Sequence, residues 1–246
     1  MRTTALLAAA VLTLAACGES EAELDPRSLE AIEGSVAASD GLAPQTEVPD
    51  GLPAEAPTLL DEPEGSLGAG EMALGDPDAP LTVIEYASVT CPACKTFHAN
   101  HFQAIKSELI EPGLVRFVYR EFPTSPVPLS YAGSILARCA ATEAGAPAYF
   151  AVNDALFQRQ NDWAYGANPG QALEGIFAQV GMDRAAMQAC LRRGALKAAI
   201  DDNIEQGRAD GIQGTPTLMV NGEPFDVRRD VDQVVAELRA MAEAAR

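Results

Sequence analysis

The segment from residue 81 to residue 120 constrains the fold most. Leu81-Thr82-Val83-Ile84-Glu85-Tyr86-Ala87 is a β-rich run of buried-strand length, and Leu114-Val115-Arg116-Phe117-Val118-Tyr119-Arg120 is a second. A helix is expected between them, from about Pro92 to Glu108. With connections this short, the β-α-β unit predicts a right-handed crossover and parallel pairing. Much later, 217–220 reads as a strand, Asn221-Gly222 as a tight hairpin turn, 223–227 as its partner and 231–245 as a closing helix. Between these halves helical periodicity covers about 129–143, 148–160, 171–180, 184–193 and 195–210. Gly145, Pro147, Pro169, Gly181 and Gly194 punctuate it. The expected fold class is α/β, a central mixed sheet flanked by helices, with an all-α insertion at about 125–210 of a domain spanning 71–246. No repeat or second catalytic domain is needed.

Ahead of that domain, Arg2 precedes an apolar run, Ala5 to Ala16, that is too short to span a bilayer and reads as a signal peptide over 1–17. The run ends Leu14-Ala15-Ala16-Cys17, which resembles the lipobox of bacterial lipoproteins, so Cys17 is the expected lipidation site. No later segment approaches transmembrane length, so attachment to a membrane is expected through lipid. The net charge of -18 is concentrated in the next stretch: Gly18 to Glu71 carries fourteen acidic residues against Arg27 alone. With Pro44, Pro49, Pro53, Pro57 and Pro63 and little apolar surface, 18–70 reads as a flexible, self-repelling tether. Asp25 as N-cap and Pro26 at the first helical position allow a short, transient helix inside it. No basic stripe suggests nucleic-acid binding.

Export would place the cysteines where disulfides form and persist. Of the 5 cysteines, setting Cys17 aside leaves Cys91, Cys94, Cys139 and Cys190, an even number that permits two pairs. Cys91 follows a strand by a short loop, and Pro92 suits the first position of a helix, where its missing N–H is harmless. Cys91 is therefore expected at a helix N-terminus, where unpaired N–H groups and the helix dipole favour thiolate over thiol. Thiols so placed reach pKa values of about 3.5 to 7.5, against about 8.5 when free. Cys94, three residues on, lies within disulfide reach. Cys91 is expected to attack and Cys94 to resolve the mixed disulfide. No cofactor is expected.

Cys91-Pro92-Ala93-Cys94, the helical insertion and a late Thr215-Pro216 together resemble the DsbA-like family of thioredoxin-fold oxidoreductases, from about Leu74 to the C-terminus. The resemblance implies a cis-proline at Pro216, with the backbone of Thr215 beside the sulfurs, ready to pair with an extended substrate peptide. It also implies a buried acid six residues before the first cysteine, the position of Glu85. Such an acid would have a raised pKa and relay a proton to or from Cys94; a plain ion pair with a Lys or Arg is the simpler alternative. Some family members carry a second disulfide in the insertion, and Cys139 to Cys190 would close a loop of about 50 residues, worth roughly 4 kcal/mol in the chain-entropy model. Otherwise these are two separate buried thiols. The sequence departs from the strong oxidants of the family, which carry Pro-His between the cysteines. Ala93 offers no imidazole, so a less oxidising pair is expected. Thr215 resembles the residue before the cis-proline in several isomerases and reductases, and the direction of flux stays open.

The implied function is thiol-disulfide exchange with exported proteins, with a redox partner that recycles the pair. A different class is a tethered copper- or zinc-binding or chaperone-like module built on the same cysteines. Cys91, Cys94, His98 and His101 are compact in sequence, but sites with two Cys and two His separate the pairs by a dozen residues or more. No metal is expected, and His98 is expected as a partly exposed surface residue.

Overall fold

The computed structural model describes residues 68–246. The expected signal peptide, Cys17 and nearly all of the acidic tether with its short helix lie outside the described residues. Five strands form one sheet: β1 Met72–Leu74, β2 Leu81–Ala87, β3 Val115–Glu121, β4 Thr217–Val220 and β5 Glu223–Phe225, in the order β1-β3-β2-β4-β5. β2 and β3 are parallel, Leu81 beside Val115 and Ala87 beside Glu121, as the short β-α-β unit predicts. β1 is antiparallel to β3, β4 to β2 and β5 to β4. Asn221 and Gly222 have φ of 54° and 82°, the positive pair a two-residue type I′ hairpin requires.

Helix α1 occupies 92–110. It is α-helical at Pro92–Phe97 and Gln103–Ile105 and widens into π turns at His98–Phe102 and Lys106–Ile110. Between β3 and β4 come α2 Val127–Ala144, α3 Ala146–Gln158, α4 Gln160–Trp163, α5 Pro169–Phe177, α6 Arg184–Leu191 and α7 Gly194–Ala209; α8 Val231–Ala244 closes the chain. The single helix expected at 148–160 is broken. Arg159 leaves helical geometry at φ -100° and ψ 16°, and α4 sets off anew with Gln160 and Trp163 buried. Among the described residues no helix is long and apolar enough to cross a membrane.

The two faces of β2 differ, as alternation along a strand requires. Leu81, Val83, Glu85 and Ala87 are buried on the side of the main core, which includes Phe97, Phe102 and Ile105 of α1 and Val234 and Leu238 of α8. Tyr86 points the other way, into a small cluster with Met219 and Ile212. There α7 approaches so closely that a Cβ added at Gly207 would lie 2.9 Å from the Phe122 ring. The insertion is bolted to the sheet by one buried ion pair. Arg138 of α2 donates through Nε (2.7 Å) and Nη2 (2.8 Å) to the two carboxylate oxygens of Glu121, which also accept from Tyr149 Oη and Asn203 Nδ2. The remaining guanidinium nitrogen of Arg138 donates to the carbonyls of Gly68 and Gly70. Every charge-bearing atom thus has a partner, the condition under which a buried pair is tolerated.

Candidate active site

The strand β2 ends beside a loop that turns directly into α1, and Cys91 caps that helix. Its backbone is extended, φ -79° and ψ 121°, and Pro92 takes the first turn. The loop is held from several sides. Cys91 N–H donates to Ser88 O at 2.9 Å, and Ser88 Oγ lies 2.9 Å from both Thr90 Oγ1 and Ser130 Oγ of α2. Gln160 Nε2 donates to the carbonyls of Val89 (2.9 Å) and Cys91 (3.0 Å), so the break before α4 delivers a buried amide to the underside of the loop. The Tyr165 hydroxyl donates to Thr90 O. On the far side of Cys91 stands the start of β4: the Thr215-Pro216 bond is cis, and the Cys91 thiol donates to the Thr215 carbonyl at 3.4 Å. A second cis bond, Ser125-Pro126, precedes α2.

The two thiols sit in opposite environments. A hydrogen bond from Cys94 stabilises the Cys91 thiolate most. Burial opposes it, and the Thr215 side chain and the backbone N–H groups of Cys94 and Ala93 add to it, so Cys91 falls from 9.0 to about 5. Cys94 is fully buried. Burial first, then its hydrogen bond to Cys91 and the charge of Glu85, push its thiol far above the ordinary range. One sulfur is prepared as a nucleophile and the other is kept as a proton-bearing donor.

Glu85 is fully buried on the core face of β2, and its partner corrects the expectation for His98. His98 is only 2% exposed, its Nε2 is 2.9 Å from Glu85 Oε2, and its Nδ1 is 3.9 Å from Asp154 Oδ1 of α3. The reason is the helical period: Cys94, His98, Phe102 and Ile105 share the inward face of α1, and the ring is packed against Phe102 and Phe157. The partner of Glu85 is therefore a histidine, neither the Lys nor the Arg considered from sequence. Burial disfavours charge on His98, but the carboxylates of Glu85 and Asp154 outweigh it and raise its pKa above the ordinary histidine value. Glu85 Oε1 has no hydrogen-bond partner among the described residues.

His101 is stacked on Phe97, with Nε2 3.0 Å from the Arg229 carbonyl. Among the described residues, no group of three or more His, Cys, Asp and Glu side chains is placed to hold a metal ion. Cys139 of α2 and Cys190 of α6 are joined by a disulfide with a Cα–Cα distance of 5.9 Å, and Cys91 and Cys94 are free thiols. Gln160, Asp154 and Tyr165 are the site residues that sequence reasoning missed. All three lie in the helical insertion, and no local signal in the sequence marks any of them.

A family model described as Thioredoxin matches residues 68–240. A Rickettsia typhi protein whose name gives it as a protein-disulfide oxidoreductase is 29% identical over 153 residues, which is 62% of this chain and 55% of that protein. Disulfide bond formation protein D of Bacillus subtilis is 26% identical over 172 residues, 67% of this chain and 74% of that protein. The chain spans about half the length of the Rickettsia relatives it matches. Among solved structures, Wolbachia pipientis alpha-DsbA1 is similar with a TM-score of 0.63 at 24% identity, covering 72% of this chain and 92% of that one. BdbD from Bacillus subtilis gives 0.61 at 21% identity, covering 70% and 93%. At these identities the solved structures speak for a shared fold.

Proposed function

Because the chain belongs to the thioredoxin family and has the fold of the DsbA-like proteins, we propose that it is an extracytoplasmic thiol-disulfide oxidoreductase acting on exported proteins through Cys91 and Cys94. The observation that carries the proposal is the split between two thiols three residues apart. Cys91 is partly exposed and lowered to about 5, while Cys94 is buried and raised.

In the oxidising direction, a substrate thiolate attacks Cys91 Sγ of the Cys91–Cys94 disulfide. The S–S bond breaks, Cys94 leaves as a thiolate and takes up one proton, and a mixed disulfide joins Cys91 to the substrate. A second substrate thiolate then attacks the substrate sulfur and Cys91 leaves as the stabilised thiolate. Two electrons pass from substrate to enzyme, and a redox partner removes them to restore the disulfide. Reduction runs these steps in reverse, with Cys94 giving up its proton as it attacks the mixed disulfide; isomerisation needs only the attack of Cys91 on a substrate disulfide and its later displacement by another substrate thiolate. Thr215 offers its backbone to an extended substrate segment beside Cys91, with Pro216 as the adjoining wall. Glu85 relays the proton of Cys94. Ala93 supplies no charged group to the Cys91 thiolate, so the pair is a milder oxidant than family members with Pro-His. Cys139–Cys190 serves as a structural bridge, and lipid on Cys17 with the acidic stretch after it tethers the domain to a bacterial membrane on its periplasmic face.

Trapping tests the proposal. A Cys94→Ala variant, unable to resolve, should accumulate reductant-sensitive adducts through Cys91 with exported proteins that contain cysteines. Absence of adducts, with Cys91 remaining a free thiol, would overturn it.

A further inference from the structure

Cys94 must gain and lose a proton in every exchange cycle, yet Cys94 and its neighbour Glu85 are both 0% exposed. Bulk water does not reach either group. The Glu85 carboxylate does contact one further proton-carrying group, His98, through Nε2 at 2.9 Å. The other face of that ring looks outward. Its Nδ1 is 3.9 Å from Asp154 Oδ1, too long for a direct hydrogen bond and short enough for a small rotation or one bridging water to close. Asp154 is 30% exposed. His98, Asp154, Lys95 and Gln103 line one surface cleft of about 430 Å³ between α1 and α3. The groups are thus ordered from the buried thiol to solvent: Cys94, which feels the charge of Glu85, then Glu85, whose Oε1 has no hydrogen-bond partner among the described residues, then His98, Asp154 and the cleft.

We propose that His98 and Asp154 form the proton route between the buried Cys94–Glu85 pair and solvent, with His98 acting through Glu85 as a positioning and relay residue. The route depends on Cys91 and Cys94 exchanging disulfides as proposed above. When the Cys91–Cys94 bond opens, the ring takes a proton at Nδ1 from the Asp154 side and passes its Nε2 proton to Glu85, which gives it to the Cys94 thiolate. The ring is left neutral with its hydrogen on Nδ1. When the bond reforms, Cys94 gives its proton through Glu85 to Nε2, and the Nδ1 hydrogen leaves toward Asp154. The ring is then neutral with its hydrogen on Nε2, its starting state. One proton enters and one leaves per cycle, so the alternation of tautomers resets itself. The charged and titratable groups around the ring are Glu85 from β2, Tyr119 from β3, Asp154 from α3, and Cys94 and Lys95 from α1. Burial works against a second proton on this ring, and the two carboxylates offset that, which brings within reach the doubly protonated ring that each transfer passes through.

The test follows the reduced full chain mixed with glutathione disulfide, at concentrations where the unimolecular attack of Cys94 on the mixed disulfide limits. His98→Gln and Asp154→Asn are compared with wild type between acid and alkaline pH. The inference expects the Cys94 step to slow about tenfold or more at neutral pH in His98→Gln and to climb with pH as hydroxide replaces the relay. Asp154→Asn should shift the same way by a smaller factor. The initial attack by Cys91 and its thiolate titration near 5 should stay as in wild type. Equal rates and pH profiles for the Cys94 step in all three proteins would overturn the route, as would an equal slowing of both steps at all pH values. Asp154→Asn, at a partly exposed position, keeps the test decisive if His98→Gln does not fold. Failure of the wild type itself to react would instead remove the exchange function.

Discussion

Cys91 Sγ lies 3.4 Å from the main-chain oxygen of Thr215, a residue 124 positions later in the chain. Two segments far apart in sequence are brought together by adjacency in the sheet: β2, which leads into Cys91, pairs with β4, which Thr215-Pro216 precedes. Under the proposed function, a substrate segment lying along Thr215 would be held against the Cys91 sulfur. The same contact explains why the site is built where β2, α1 and the β4–β5 hairpin meet.

The Cys91 thiolate should appear as a thiolate absorbance that titrates near pH 5 in the reduced protein and is lost in Cys91→Ser. Its folded pKa, about 5, lies below the 9.0 of the free group. The sign follows: stabilisation of the reduced fold by this group is complete above pH 9, declines as pH falls, and is gone below about 5. Denaturant unfolding of the reduced protein against a Cys91→Ser control, measured from pH 4 to 8, should show the difference growing with pH.

Gln160→Ala should loosen the active-site loop. The carbonyls of Val89 and Cys91 would each lose a donor, and a buried carbonyl without a partner costs about 1–3 kcal/mol. Chemical denaturation should register a loss of that size, and glutathione exchange should slow because the Cys91 loop is no longer fixed. Unchanged stability and exchange would show that Gln160 plays no part in holding it.

Much of this fold was legible in the sequence because its signals are local. The apolar runs at 81–87 and 114–120, the Asn221-Gly222 turn and the proline-started helix at Cys91 each fix their own backbone, and the structure has them. β1 escaped because three residues show no period, and the edge it fills is decided by pairing with β3. His98 was misjudged for a different reason. A histidine is polar, and its burial is understood only once Glu85 and Asp154, from two other elements, are seen on either side of it. The break at Arg159, which brings Gln160 under Cys91, likewise has no local proline or glycine to announce it.

Arg138→Met should reveal how much the helical insertion depends on its bolt. Removing the guanidinium leaves Glu121 buried without its cation and strips Gly68 and Gly70 of their donor. Breaking one half of a buried pair costs about 3–5 kcal/mol. Thermal or denaturant melts should show a loss of that order, whereas Arg228→Met, which breaks a solvent-exposed pair with Asp226, should leave stability nearly unchanged.

The redox equilibrium of the protein in glutathione buffers, with free thiols counted by alkylation and mass, tests the central claim most directly. The account predicts one two-electron transition confined to Cys91 and Cys94, lost in Cys91→Ser and in Cys94→Ser, with Cys139–Cys190 unchanged throughout. A pair that stays reduced at every glutathione ratio, with Cys91 titrating near 9, would contradict it.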